Sequence, residues 1–97
     1  MPLLSDADLQ AHLRTLTGWS KQGDAITKRF TFAGFPDAIA FVTRLAFDAE
    51  AADHHPDMLI SYRHVTVTWS THSEGGVTEK DLAGVRQSDR IAAALGA

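Results

Sequence analysis

The side chains best suited to chemistry gather in one short stretch, Glu50-Ala51-Ala52-Asp53-His54-His55-Pro56, and in a third imidazole at His72. Histidine is the side chain that titrates near neutral pH, and the chain holds five of them. Protonating all five would carry its formal charge from −3 to +2. Glu50 and His54 are four positions apart, so they are neighbours if the helical turn persists. His55 then projects elsewhere as the chain turns at Pro56. Three imidazoles beside an acid read in three ways. The first is general acid–base catalysis, in which one group gives a proton and another takes one near pH 7. The second is a Zn²⁺ or Fe²⁺ site, for which three histidines and a carboxylate are suitable donors. Adjacent histidines point apart unless the turn refocuses them, and no HExxH spacing exists, which weighs against metal. The third is a helix end whose histidines merely cap carbonyls and complement the helix dipole. Residue types alone leave catalysis and capping both open. His12, on the edge of an amphipathic helix, and His64, read as a turn residue, fit the ordinary case.

Asp81 is the other singular residue. At helical spacing it shares an arc with Gly84, Val85, Ser88, Ile91, Ala92 and Leu95, so an acid sits on the inward face. It reads either as a first-turn carboxylate favoured by the helix N-terminus or as the acceptor that orients a histidine. Gly75-Gly76 alone does not make a phosphate loop, and no serine or cysteine nucleophile motif is present.

The elements that must position these groups follow from periodicity. Ser5 caps a first helix running to about Thr15, with Leu9, His12, Leu13 and Leu16 as its stripe. Trp19–Gln22 and Ala25–Phe32 flank Gly23-Asp24 and predict a hairpin, Ile26, Lys28, Phe30 and Phe32 sharing one face. Lys28 breaks that alternation. Pro36 and Asp37 open a second helix that ends near Asp53, because Pro56 disfavours helix at His55. Its broad apolar arc comprises Phe35, Ala38, Ile39, Phe41, Val42, Leu45, Ala46, Ala49 and Ala52. A thin opposite stripe of Ala40, Phe47 and Ala51 suits a partner subunit or a single exposed phenylalanine equally well. Met58–Arg63 and Val65–Thr71 predict a second hairpin, with Val65, Val67 and Trp69 inward and Thr66, Thr68, Ser70 and His72 outward. Thr78 caps a last helix to about Leu95. The order αββαββα predicts an α+β two-layer domain, a four-stranded antiparallel sheet with three helices on one face, as one unit over residues 1–97.

Composition bounds the function classes. Ninety-seven residues make one domain, and 44% hydrophobic with 22% charged residues is ordinary for a globular chain. No apolar run approaches about 18 residues, so no transmembrane helix is expected. No basic, apolar leader opens the sequence, and the cytoplasm is the expected compartment. The absence of cysteine excludes disulfides, thiolate catalysis and Cys-ligated metals. A net charge of −3 without a basic run gives no footprint for nucleic acid.

Glu50-x3-His54-His55-Pro56, then Tyr62, Ser70-Thr71-His72 and Thr78-Glu79-Lys80-Asp81, resemble the pterin-4a-carbinolamine dehydratases, also known as dimerisation cofactors of a homeodomain transcription factor. Gly18-Trp19 and Phe30-x-Phe32-x4-Pro36-x-Ala38 extend the likeness over roughly residues 5–95. Met58 stands where an aromatic often follows His-His-Pro, and Trp69 where a smaller side chain is common. The resemblance implies the αββαββα fold and the loss of water from 4a-hydroxytetrahydropterin to give quinonoid dihydropterin, in tetrahydrobiopterin recycling. It implies no metal and no redox cofactor. It also implies His54 and His72 as the acid–base pair, His55 as the substrate-orienting residue, and Glu50 and Asp81 as supporting carboxylates. The implied partners are a pterin substrate, an aromatic amino acid hydroxylase as functional neighbour, and further copies of the chain in a homodimer or homotetramer, with no direct contact to nucleic acid or membrane. Two other classes stay open: a non-catalytic oligomerising or coactivator module, and a dehydratase-like enzyme of another pterin pathway such as that of molybdopterin.

Overall fold

A computed structural model describes residues 2–97 of the chain. The elements are α1 (Asp6–Leu13), β1 (Ser20–Gln22), β2 (Ala25–Thr31), α2 (Phe35–Ala52), β3 (Asp57–Ser61), β4 (His64–Trp69) and α3 (Glu79–Ala94), with a 3₁₀ turn at His72–Glu74. The four strands form one antiparallel sheet in the order β1-β2-β4-β3. The expected α+β fold is therefore the observed one. Boundaries differ slightly: α1 stops at Leu13, β3 begins at Asp57 and ends at Ser61, and β4 runs His64–Trp69.

Both hairpins turn on two residues. Gly23 takes φ 59° in the first, and Tyr62 takes φ 54° in the second, an unusual left-handed position for a bulky residue. His64 lies not in that turn but at the first position of β4, opposite Thr31, whose hydroxyl meets its Nδ1 at 2.9 Å. Its imidazole pKa is held below the ordinary value, first by desolvation and then by the guanidiniums of Arg29 and Arg63.

The inward phases of β2 and β4 meet the helices in one core. Ile26, Phe30, Val65, Val67 and Trp69 are buried against Ala38, Phe41, Leu45 and Ala49 of α2 and Leu82, Val85 and Ile91 of α3. Phe41 fills the centre, 5.0 Å from the rings of both Phe30 and Phe32. Lys28 keeps its place on this face because it reaches the rim. Its Nζ donates to the Thr17 carbonyl at 3.0 Å and to Asp89 at 3.3 Å, and lies 4.7 Å above the Phe30 ring. The predicted α2 arc is only partly covered: Phe35 and Ile39 remain 49% and 37% exposed, and Phe47 on the opposite side 75%.

Candidate active site

The site begins at the end of α2. The helix closes with Asp53 N–H on the Glu50 carbonyl and His54 N–H on the Ala49 carbonyl, each at 3.1 Å. That pair of bonds around a left-handed residue is the Schellman closure. Asp53 supplies the left-handed conformation (φ 53°, ψ 41°), which aspartate tolerates better than most side chains. The turn reverses the chain and gives His54 and His55 different partners. Glu50 therefore pairs with His55, at 2.8 Å, not with His54 as a continued helix would place it. Both members of that pair are exposed, so it orients the ring without adding much stability.

His54 turns instead beneath α3. Its Nε2 meets Asp81 Oδ1 at 2.6 Å, with the histidine side chain 13% exposed and the aspartate fully buried. Asp81 is the third residue of α3, and its other oxygen closes a capping box by accepting the Thr78 N–H at 2.9 Å. The same oxygen accepts the Thr71 hydroxyl at 2.8 Å, and the Thr71 and Thr78 hydroxyls lie 2.8 Å apart. One oxygen of Asp81 thus caps the helix while the other faces a histidine. The short contact engages Nε2 of His54 and leaves Nδ1 as the ring nitrogen outside the pair.

Trp69 fixes the plane of that ring. The indole stacks on His54 with centroids 5.5 Å apart and 25° between planes. Its Nε1 donates to Ser88 Oγ at 3.1 Å. The indole fits because α3 carries glycine opposite it: a Cβ on Gly84 would lie 2.6 Å from the ring. The large residue at 69 is thus matched by missing bulk at 84.

His72 starts the 3₁₀ turn, exposed to solvent, one peptide beyond Thr71. The structure joins His54 to Asp81 and His55 to Glu50. His72 follows Thr71 of the Thr71–Asp81 network, and among the described residues its ring makes no hydrogen bond to either pair. Among the described residues no three His, Asp or Glu side chains converge as metal ligands would. His54 and Trp69 also border a groove of about 430 Å³ between α2 and α3. Small side chains hold it open, Ala49 and Ala52 on one side and Ala83 and Gly84 on the other.

Thr71 and Asp53 stand within the quoted motifs, but the sequence reading gave neither a role. A signal existed for Thr71: it continues the inward phase of Val65, Val67 and Trp69 and is polar. Asp53 had none, since an aspartate before His-His-Pro is equally at home in a helix end or a loop.

The family model for pterin 4 alpha carbinolamine dehydratase matches residues 2–91. A protein of Roseiflexus sp. (strain RS-1), provisionally named a pterin-4-alpha-carbinolamine dehydratase, is 51% identical over 91% of this chain and 95% of its own length. A Mycobacteroides abscessus protein of the same provisional name is also 51% identical, over 86% of this chain and 88% of its own. The crystal structure of a transcriptional coactivator/pterin dehydratase from Brucella melitensis superposes with a TM-score of 0.89 at 41% identity, covering 93% of this chain and 98% of that one. A pterin dehydratase-like RuBisCO assembly factor of the alpha-carboxysome shares the fold at a TM-score of 0.64 and 23% identity, over 76% of this chain and 86% of that one. Fold, motif order and these matches agree that the chain belongs to the pterin-4-alpha-carbinolamine dehydratase family.

Proposed function

We propose that the protein dehydrates 4a-hydroxytetrahydropterin to quinonoid dihydropterin by histidine general acid–base catalysis. The observation that carries this reading is the His54–Asp81 pair, 2.6 Å apart around a buried carboxylate. The reaction breaks the C4a–O bond as the leaving hydroxyl gains a proton. It removes the hydrogen on N5, and the N5–C4a double bond forms. His54, with Nε2 committed to Asp81, works through Nδ1 on one of these protons, and His72 works on the other. His55, steadied by Glu50, orients the pterin. A proton-transfer gain of about 10²–10⁴ is sufficient for a dehydration that already proceeds in water.

In this reading the chain serves tetrahydrobiopterin recycling in the cytoplasm beside an aromatic amino acid hydroxylase, and assembles as a homodimer or homotetramer. Phe47, 75% exposed on α2, supports the assembly. The direct test is to generate 4a-hydroxytetrahydropterin in situ and follow formation of the quinonoid product with and without the protein. Acceleration in proportion to protein supports the reading, and a rate equal to that in buffer refutes it.

A further inference from the structure

The groove between α2 and α3 carries a charge pattern that proton transfer at His54 does not require. Lys80, Arg86 and Arg90 line it from α3, whereas α2 contributes one acid, Asp48. In a chain of net charge −3, three of the nine lysines and arginines therefore border a single groove. Asp89, the acid between Arg86 and Arg90 on α3, holds Lys28 and the Trp19 indole, which leaves Asp48 as the one acid lining the groove. The ion pairs among the described residues leave Lys80, Arg86 and Arg90 without a carboxylate partner within 4.0 Å. Arg86 and Arg90 are four residues apart and so project together from the helix. Asp81 anchors His54 at the start of α3, and a helix rises ~1.5 Å per residue. The backbone positions of the two arginines thus lie roughly 7 to 14 Å along α3 from Asp81, the residue that meets His54.

Resting on the dehydratase reading but not on tetrahydrobiopterin as its substrate, we infer that this groove is a subsite for an anionic side chain on the substrate, a phosphate ester carried by the pterin ring. The ring would lie at His54. Its substituent would run along the floor kept open by Ala49, Ala83 and Gly84, and end between the two arginines. Guanidinium groups suit a phosphate because their paired N–H donors match its oxygens.

The test compares binding of 7,8-dihydroneopterin and its terminal phosphate ester to the wild-type protein by titration calorimetry at fixed salt. The subsite predicts that the ester binds at least about tenfold tighter, the scale of one charge-assisted hydrogen bond. It predicts that Arg86→Ala with Arg90→Ala brings the ratio close to one, while Arg14→Ala with Arg29→Ala, the same charge removed elsewhere, leaves the ratio as it was. Equal affinity for the two compounds in the wild-type protein overturns the inference, as does a preference that survives Arg86→Ala with Arg90→Ala. If equal affinity is found but 4a-hydroxytetrahydropterin is still dehydrated, only the subsite falls. If neither compound binds and no dehydration occurs, the dehydratase reading falls with it.

Discussion

At the residue scale, the account turns on which nitrogen of His54 is committed. Asp81 meets His54 Nε2 at 2.6 Å and accepts from the Thr71 hydroxyl and the Thr78 backbone at 2.8 and 2.9 Å, so its position is fixed. Asp81→Asn separates its two duties. The amide oxygen can still accept from Thr71 and Thr78, preserving the cap, while the amide nitrogen must face His54 Nε2 and force the opposite tautomer. The expected result is a thermal stability loss of about 1 kcal/mol, the scale of a helix cap, with a dehydration rate lowered about as far as in His54→Ala. Near-normal activity in Asp81→Asn would show that the tautomer is irrelevant. The residue types of this site were readable from sequence, but their pairing was not. Glu50 and His54 have the spacing of helical neighbours, yet the left-handed Asp53 redirects the chain. Such a residue leaves no periodicity to detect, because a single φ decides it.

At the element scale, the fit between β4 and α3 sets the plane of the histidine ring. Trp69 occupies space that a Cβ at Gly84 would enter at 2.6 Å. Gly84→Ala is expected to destabilise the protein by about 1–3 kcal/mol through overpacking, measured by urea denaturation. Trp69→Phe, smaller and without the Ser88 hydrogen bond, should recover part of that loss in the double variant; strictly additive losses would deny the coupling. His64 links the sheet to pH. Its lowered pKa means the folded state resists protonation, so its contribution is intact above the unfolded value of about 6.5 and is lost as pH falls through the lowered folded value. The denaturation midpoint of the wild-type protein should therefore fall more steeply between pH 7 and 5 than that of His64→Asn; equal slopes would remove this role. The strands themselves were legible, since Val65, Val67 and Trp69 alternate with threonines. The Lys28 anomaly required the third dimension: its partners Thr17 and Asp89 come from outside the sheet.

At the scale of the whole molecule, sequence order gave αββαββα, but not which groups the helices would enclose. The groove between α2 and α3 exists because small residues on both helices coincide, a relation between segments distant in sequence. Its cations at 80, 86 and 90 look like an ordinary solvated helix face until α2 is set beside them. Assembly belongs to this scale as well. Phe47→Glu places a charge on an exposed apolar side chain, and size-exclusion chromatography with light scattering should show a smaller species than the wild type; an unchanged mass would remove Phe47 from the interface. The central claim, that His54 and His72 carry the protons, is tested most directly on one assay. Dehydration of freshly generated 4a-hydroxytetrahydropterin is measured with the wild-type protein and with the double variant His54→Ala/His72→Ala, its fold checked by circular dichroism. The account predicts that the folded double variant loses the acceleration of about 10²–10⁴ and returns to the rate in buffer. A folded double variant that dehydrates at the wild-type rate would contradict it.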